Sequence, residues 1–328
     1  TGMMSMEPTT GYVKAYVGGP DFRFFQYDMA GRGRRQIGST CKPFLYTLAM
    51  EEDYTPCDEF LNEMPTIEVP GGVWQPRNSG SSRVGEMVSL RWALTNSNNW
   101  ISARLITADR MSPQQLVRKM HSFGITNHLD AVPSLCLGPC DVSVKEMVAA
   151  YTAFARKGVR RYPLYVTRIE DSNGDVVAEF TPRVREVISE DAACKMVTLM
   201  RGVIDSGTGH RMRARYHLTV PMAGKTGTTN DNSDGWFVGY TPSLSFGGWV
   251  GGEERDIHFA SMAIGQGANA ALPISAYFLM KVFADKSLGY SQEEDFDIPE
   301  GFDPCGQTDE SETEEEIAVE PVLDNLAN

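Results

Sequence analysis

The stretch Ser39-Thr40-Cys41-Lys42-Pro43-Phe44 carries the most information about the fold and chemistry of this chain. Residues three apart share one face of a helix, so the spacing predicts that the Lys42 amine can reach the Ser39 hydroxyl. A lysine can serve as the base for a serine nucleophile when a dry, cation-rich pocket lowers its pKa. Roughly one Ser-x-x-Lys pattern is expected by chance in a chain of this length, so the pattern needs companions before it indicates an enzyme.

Two further stretches supply such companions, Ser97-Asn98-Asn99 and Lys225-Thr226-Gly227-Thr228-Thr229. The Ser97 hydroxyl could relay a proton, and the Asn99 amide could orient a substrate. Lys225, expected at the end of a strand, offers a fixed cation. Each stretch alone is equally compatible with an ordinary turn or strand end, and only their combination in one chain favours a shared cleft.

The second stretch also predicts how a substrate could be held. Gly227 permits close backbone approach, so a peptide could lie along this strand as an added β-strand. The Thr228 hydroxyl suits a carboxylate, and the backbone N–H groups of Thr228 and Ser39 could together hold an oxyanion. Two lysines in one cleft also predict that the charge of Lys225 lowers the pKa of Lys42.

Composition limits the class of protein. The chain has 328 residues and 41% apolar residues, enough for one large domain or two smaller ones. No run approaches the length of about 18 apolar residues that a membrane span needs. Residues 1–8 lack the pattern of a signal peptide. The chain is therefore expected to be either cytosolic or a portion of a longer protein.

The net charge of −13 is concentrated at the carboxyl end. Residues 291–328 hold 14 acids and no lysine or arginine, so the remaining 29 of the 43 acids face all 30 basic residues. This composition predicts a disordered acidic tail that is dispensable for stability and acylation, with docking of a basic partner as the alternative. The densest basic stretch in the sequence is Arg32 to Arg35, so binding of nucleic acid is disfavoured.

The six cysteines do not form a disulfide scaffold. Cys136 and Cys140 are close enough in sequence to bridge, but the redox compartment decides this and the sequence leaves it open. Cys41 is most simply a buried small hydrophobe. A zinc site would need a second Cys/His pair at ligand spacing, which the sequence does not offer, and no metal or cofactor is predicted.

The hydrophobic pattern predicts an antiparallel sheet interrupted by a mainly helical insertion over about 51–161. Strands are expected over Gly11–Gly19, Leu218–Ala223, Gly235–Tyr240 and Leu244–Val250, with a hairpin of Tyr165–Ile169 and Val176–Phe180. Helices are expected over Ser39–Met50, Leu90–Leu94, Pro113–Phe123, Ser143–Arg156, Glu190–Ile204 and Ile274–Ala284. The helix at Ser143 should begin with a capping box that includes Glu146.

Together, Ser-x-x-Lys, Ser-x-Asn and Lys-Thr-Gly are the motif set of penicillin-binding proteins and class A β-lactamases. The stretch 31–44 (GRGRRQIGSTCKPF) closely resembles the approach to the nucleophile in the transpeptidase domain of class A, bifunctional penicillin-binding proteins. The segments 11–19, Trp74-Gln75-Pro76-Arg77-Asn78, 90–99, Gly207-Thr208-Gly209 and 225–229 match that family in order and spacing. The resemblance covers about residues 9–286.

The resemblance implies a penicillin-recognising α/β fold, with an antiparallel sheet flanked by helices and an all-helical subdomain. It divides the chain into a domain over 1–290 and a tail over 291–328. Ser39 would be the nucleophile toward D-alanyl-D-alanine stem peptides and β-lactams, Lys42 its base and Ser97 a proton relay. The substrate would be bound by Asn99, Lys225, Thr226, Gly227, Thr228 and Trp74.

Members of the family are normally anchored on the outside of the cytoplasmic membrane, and a glycosyltransferase domain precedes their transpeptidase domain. The resemblance therefore predicts an extracytoplasmic location, with membrane attachment only through parts absent from this sequence. Two alternatives stay open, a β-lactamase or D-alanyl-D-alanine carboxypeptidase on the same fold, and a catalytically silent peptidoglycan-binding or sensor module. Asn98 stands where class A β-lactamases have aspartate, which weakens the β-lactamase alternative.

Overall fold

The structure is a computed structural model, and it describes residues 1–306. Its strands are β1 (Gly2–Met6), β2 (Val13–Val17), β3 (Arg35–Gln36), β4 (Glu59–Leu61), β5 (Ile67–Val69), β6 (Gly72–Trp74), β7 (Met87–Ser89), β8 (Asp141–Val142), β9 (Val159–Arg161), β10 (Arg168–Glu170), β11 (Val176–Glu179), β12 (Val184–Glu186), β13 (Ala223–Thr228), β14 (Asp234–Tyr240) and β15 (Ser245–Gly251). Its α-helices are α1 (Lys42–Glu51), α2 (Leu90–Thr95), α3 (Asn99–Ile106), α4 (Pro113–Ser122), α5 (Val144–Ala155), α6 (Glu190–Asp205), α7 (Arg211–Ala214), α8 (Met262–Gly265), α9 (Gly267–Ala270) and α10 (Leu272–Ala284).

The central element is an antiparallel five-stranded sheet in the order β13-β14-β15-β1-β2. Alternate residues of β14 point to opposite faces, as the strand period of two requires. Trp236, Val238 and Tyr240 face the larger core, which includes α1, α5 and α6. Phe237 faces a second core formed with α10. The expected antiparallel sheet flanked by helices is therefore confirmed.

Most predicted elements are confirmed, with small shifts at their ends. Helix α5 begins after Ser143, whose side chain and that of Glu146 form the predicted capping box. The hairpin of β10 and β11 and the strands β14 and β15 also lie where the pattern placed them. Strand β1 was not predicted: its sequence GMMSM lacks polar alternation because the strand is buried along its whole length.

The predicted helical insertion over 51–161 differs from the structure at both ends. Residues 59–89 contain no α-helix and form two short strand pairs, β4 with β7 and β5 with β6. Prolines at 56, 65, 70 and 76 and the left-handed glycines at 71, 72 and 85 prevent a continuous helix there. Helix α5 packs against the central sheet, where the Ser245 hydroxyl donates to the Val148 carbonyl at 2.8 Å. The subdomain is thus mixed, with α2 to α4 as its helical part.

The predicted boundary at 290 also differs from the structure. Phe296 is buried in the main core, 5.5 Å from the ring of Tyr240. Asp297 forms an ion pair with Lys157, and Cys305 forms a disulfide with Cys57. Residues 291–306 therefore lie on the domain, because a few apolar and cross-linking residues outweigh their acidic composition. The rest of the predicted tail, residues 307–328, lies outside the described residues.

The sequence left open whether Cys136 and Cys140 form a disulfide, and in the structure they do not. Cys136 and Cys140 are buried free thiols, as are Cys41 and Cys194. The Cys41 thiol donates to the Leu135 carbonyl at 3.2 Å, which fits the expected role of a small buried side chain.

None of the helices within residues 1–306 is long and apolar enough to cross a membrane.

Candidate active site

Ser39 lies in a 3₁₀ turn over residues 38–41, and the α-helix proper begins at Lys42. The predicted helix began at Ser39. Proline 43 explains the difference, because it lacks the N–H group that would bond to the Ser39 carbonyl in an α-helix. The Lys42 N–H bonds to that carbonyl at the shorter i+3 spacing instead. Ser39 is half-buried, which leaves part of its surface open to the cleft.

The backbone on both sides of the nucleophile turn is held by its neighbours. Gly38 adopts φ = +50°, a conformation that favours glycine, and its N–H donates to the Gly138 carbonyl at 3.0 Å. The Ile37 N–H donates to the Cys140 carbonyl at 3.2 Å. The Trp236 indole N–H donates to the Gln36 carbonyl at 2.7 Å. These bonds fix the turn that presents Ser39.

A buried ion pair joins the segment before the nucleophile to the turn that follows β13. Arg35 Nε donates to Asp234 Oδ1 at 2.7 Å, and the Trp249 indole N–H donates to the same oxygen at 2.8 Å. The Thr229 hydroxyl donates to the other carboxylate oxygen at 3.2 Å. Breaking such a pair leaves an uncompensated buried charge, so the pair holds the two motifs in one register.

Lys42 is fully buried and is surrounded by the Ser97-Asn98-Asn99 stretch. Its Nζ donates to the Ser97 carbonyl at 2.6 Å, to Asn99 Oδ1 at 2.6 Å and to Ser97 Oγ at 3.3 Å. Within residues 1–306 no hydrogen bond joins its amine to the Ser39 hydroxyl. Lys42 therefore contacts the Ser97-Asn98-Asn99 stretch, as the predicted shared cleft requires, but the Ser39–Lys42 hydrogen bond is not formed in this structure.

Ser97 connects the two lysines. Its hydroxyl accepts from Lys225 Nζ at 2.8 Å, so one oxygen faces both amines. Ser97 has φ = +55°, in the left-handed region that non-glycine residues rarely adopt. Such strain persists only where the surroundings impose it, and it is frequent at functional sites.

Burial dominates the electrostatics of this pair. It lowers the pKa of Lys42 to about 7, against the opposing effect of the Cys136 and Cys41 thiols. The pKa of Lys225 also lies well below its ordinary value, first because of burial and then because of the charge of Lys42. The expected depression of the lysine pKa is therefore present, but Lys225 is not among its causes at Lys42.

The Lys225-Thr226-Gly227-Thr228 stretch is itself the edge strand β13, whereas the sequence placed Lys225 at the end of a preceding strand. Lys225 lies opposite Val238 of β14 and points to the main core. The Thr226 hydroxyl lies 2.7 Å from the Thr208 hydroxyl, and Thr228 Oγ1 accepts from the Gly267 N–H at 3.0 Å. The strand thus carries hydroxyls on one face and the buried cation on the other.

Gly227 has a close neighbour within the protein itself. A Cβ at this position would lie 2.6 Å from the Ile37 carbonyl oxygen and 2.9 Å from Thr40 Cγ2. The glycine therefore admits the nucleophile turn. Similarly, a Cβ on Gly38 would lie 2.7 Å from the Thr228 carbonyl oxygen, so the backbones at Ser39 and Thr228 come close together.

Both ends of the Asn99 side-chain amide have partners within the protein. Its Oδ1 accepts from Lys42, its Nδ2 donates to the Arg77 carbonyl at 2.7 Å, and its backbone N–H donates to Asn78 Oδ1 at 3.1 Å. Asn98 is buried and structural: its Oδ1 accepts from the Ile101 N–H at the start of α3, and its Nδ2 donates to Asn62 Oδ1 at 2.8 Å. The residue that departs from the β-lactamase pattern is thus a helix cap.

Trp74, the remaining predicted residue, packs partly buried against the main core, and within residues 1–306 it makes no hydrogen bond to the cluster. The loop after it does reach the site, since the Trp100 indole N–H donates to the Pro76 carbonyl at 3.0 Å. Thr208 and Asn78 were not predicted as site residues, although Gly207-Thr208-Gly209 and the stretch 74–78 were both noted as motifs.

Known proteins resemble this chain over most of its length. A family model of the penicillin-binding protein transpeptidase domain matches residues 1–250. Penicillin-binding protein 1A of Rickettsia conorii is 32% identical over 311 residues, covering 87% of this chain and 38% of that protein. The chain spans less than two-fifths of the length of these curated relatives.

Solved structures give the same result. Penicillin-binding protein 1A from Haemophilus influenzae superposes with a TM-score of 0.80 at 23% identity, over 87% of this chain and 48% of that one. PonA1 from Mycobacterium tuberculosis in complex with penicillin V gives a TM-score of 0.72 at 25% identity, over 91% and 80%. The chain belongs to the penicillin-binding protein transpeptidase family, and its relatives include class A members.

Proposed function

We propose that this domain is a D,D-transpeptidase that cross-links peptidoglycan stem peptides through an acyl-enzyme on Ser39, and that β-lactams acylate the same serine. One observation carries the proposal: two fully buried lysines from separate motifs meet at the Ser97 hydroxyl, and one of them, Lys42, follows Ser39 by three residues. The binding of penicillin V by PonA1 supports the inhibitor class.

Proton abstraction is the first step. A neutral Lys42 has two N–H groups, which the Ser97 carbonyl and Asn99 Oδ1 accept, and its lone pair then remains to take a proton. Rotation of the Ser39 side chain brings its hydroxyl to that lone pair. Catalytic hydrogen bonds are often long before substrate binds, so the missing Ser39–Lys42 bond is compatible with this step.

The Ser39 oxygen then bonds to the carbonyl carbon between the last two D-alanines, and the carbon–nitrogen bond breaks. The proton held by Lys42 passes through the Ser97 hydroxyl to the leaving D-alanine amine. An amine from a neighbouring stem peptide attacks the ester, regenerates Ser39 and returns the proton by the same route. The chemistry uses side chains of this chain alone.

The substrate carboxylate is assigned to the free edge of β13, which Lys225 can reach from one face of the strand and Thr226 and Thr228 from the other. An approaching carboxylate favours the charged form of Lys225 and so opposes the lowering of its pKa by burial. Thr208 orients Thr226 through their shared hydrogen bond. Gly227 leaves room for the backbone of the turn that carries Ser39. Trp74 precedes the loop whose Arg77 carbonyl accepts from Asn99.

The oxyanion is assigned to the backbone N–H groups of Ser39 and Thr228. Support comes from the close approach of Gly38 to the Thr228 carbonyl. Donors fixed in the backbone need no reorganisation as charge develops, which is the main advantage of such a site.

We also propose an extracytoplasmic location. The Cys57–Cys305 disulfide is typical of an oxidising compartment. Class A relatives give the same expectation. Stem peptides are then the available substrates.

Intact-mass analysis after incubation with a penicillin tests the proposal. The wild type should gain one adduct, and Ser39→Ala should gain none. Ser206→Ala serves as control, because within residues 1–306 that hydroxyl bonds only to the Gly202 carbonyl at the end of α6. An adduct retained in Ser39→Ala would reject the assignment of the nucleophile.

The lifetime of the adduct separates the reaction types. A transpeptidase should hold it for hours, whereas a β-lactamase releases it to water within the experiment. With a stem-peptide donor and an added amine, the cross-linked product should exceed the hydrolysed one. Hydrolysis alone would identify a carboxypeptidase.

A further inference from the structure

A second basic cluster lies away from the active site, on the strand pair β9 and β12. These strands are antiparallel, with Arg160 opposite Arg185. The pairing continues as the Tyr162 N–H donates to the Arg183 carbonyl at 3.0 Å. Because alternate residues share a face, Arg160, Tyr162, Arg183 and Arg185 lie on one side of the ribbon, which we name the arginine face.

Tyr162 organises this face. The guanidinium carbon of Arg160 lies 4.3 Å from the centre of its ring, and that of Arg183 lies 5.0 Å from it. The two cations thus stack on one aromatic side chain, which fixes their planes and limits the rotamers they can adopt.

No carboxylate balances the arginine face within residues 1–306. Its three arginines form none of the ion pairs found there. Glu146, whose charge acts on Arg160, is already bonded to Ser143, Thr126 and Arg34. Glu186 lies opposite Val159, on the other face of the ribbon.

Arg160 is the unusual member. It is only 6% exposed, and its Nε has no hydrogen-bond partner. Burial is the first cause that lowers its pKa, and the charge of Arg185 adds to it. Like charges directly opposite each other destabilise a strand pair, and a buried unpaired donor adds a further cost. An arrangement of this kind is stabilised by an external anion.

We propose that the arginine face is a binding site for a phosphate-bearing polyanion. Guanidinium groups present paired N–H donors that match phosphate oxygens. Residues on one face of a strand repeat about every 7 Å along it, so adjacent phosphates of one ligand can meet successive arginines. The ligand chemistry has two possible sources, a soluble polyphosphate and the head groups of anionic phospholipids. The site is separate from Ser39 and does not depend on the proposed transpeptidase activity.

Binding of inorganic polyphosphate by the full chain, measured by isothermal titration calorimetry, tests the proposal. The double variant Arg183→Ser, Arg185→Ser should weaken binding by about 10- to 100-fold, the range expected when charge-assisted hydrogen bonds are lost. Both side chains are exposed, so folding and penicillin acylation should be unchanged. The matched control is Arg211→Ser, Arg215→Ser, which removes the same charge from another exposed site, in a cleft lined by those two arginines and Phe259.

The outcomes separate the possibilities. Selective loss in the Arg183 and Arg185 variant supports the site. Equal loss in both double variants would mean non-specific attraction, and loss in the control alone would move the site to the cleft; either overturns the proposal. So does an absence of binding by polyphosphate and by vesicles containing phosphatidylglycerol.

Binding of those vesicles, but not of phosphatidylcholine vesicles, identifies the lipid source if the variant abolishes it. Tighter binding of single-stranded DNA than of either probe would replace the proposal with nucleic-acid binding.

Discussion

The lysine cluster of the active site and the C-terminal segment 291–306 are both buried against the domain, yet different forces hold them. The cluster consists of polar groups at fixed sequence spacing, whose hydrogen bonds stabilise an arrangement that burial of two amines opposes. The segment is held by one aromatic side chain, one disulfide and a few ion pairs. The proposed reaction requires particular residue types in the cluster, whereas the segment needs only enough burial and cross-linking to stay on the domain.

This contrast explains why motifs reveal one region and hide the other. A catalytic lysine cannot be exchanged for arginine, so its identity and spacing are visible in the sequence. A docked segment needs only enough apolar burial to overcome its conformational entropy, and Phe296 supplies it within an acidic stretch. The following experiments test whether the two regions separate function from stability as this comparison requires.

The largest expected effect is on catalysis. Lys42→Arg should reduce the rate of acylation by a β-lactam at least about a hundredfold, because arginine cannot lose its proton in a protein and cannot act as a base. Acylation is followed by intact mass. The matched control is Lys195→Arg, since Lys195 is also buried but pairs with Asp191 in α6. Normal acylation in Lys42→Arg would show that Lys42 is not the base.

The second effect is on stability. A chain ending at Tyr290 should lose at least about 3 kcal/mol of its free energy of unfolding, because it loses both the burial of Phe296 and the disulfide. A chain ending at Gly306 keeps both and should unfold like the wild type. Urea denaturation of the two chains measures the difference. Equal stability of both would restore the original prediction of a dispensable tail from residue 291.

The sequence predicted the fold well where the hydrophobic pattern is regular. Helices α4 to α6 and strands β14 and β15 follow from periodicity and capping residues. Strand β1 escaped prediction because a strand buried on both faces has no alternation. The strand pairs over 59–89 escaped because their order depends on long-range bonds, such as those from the Asn62 amide to the carbonyls of Ser82 and Arg83.

At the candidate site the sequence predicted which residues meet, but not how their hydrogen bonds are distributed. Ser97, Lys42 and Lys225 do converge. The Asn99 amide, in contrast, forms hydrogen bonds with Lys42 and Arg77. Gly227 serves the nucleophile turn, which only three-dimensional proximity reveals. The arginine face was invisible for the same reason, since Arg160 and Arg185 are brought together by strand pairing.

The third effect links the buried amines to stability. Burial lowers the pKa of Lys42 to about 7 from 10.5, so between these values the unfolded chain binds more protons than the folded one. The free energy of unfolding should therefore gain about 1.4 kcal/mol per pH unit from this group as pH rises through that interval. Urea denaturation of the wild type and Lys42→Met at pH 7 and 9 isolates the contribution. An identical pH dependence in both would mean that the amine is not buried in solution.

The smallest expected effect concerns the pH profile of acylation, whose midpoint should not move when Lys225 is replaced. Burial lowers the pKa of Lys42, and the charge of Lys225 is not among the causes, so removal of the Lys225 amine should leave that pKa in place. Lys225→Met, which keeps the site apolar and filled, should lower the second-order rate constant of β-lactam acylation at every pH. The rise of this rate constant with pH reports groups of the free enzyme, and its midpoint should stay near the Lys42 pKa of about 7 in both proteins. A midpoint shifted to higher pH in the variant would mean that Lys225 carries its proton while Lys42 titrates. Charge repulsion, in addition to burial, would then keep the base neutral, and the cluster would depend on both lysines for its chemistry.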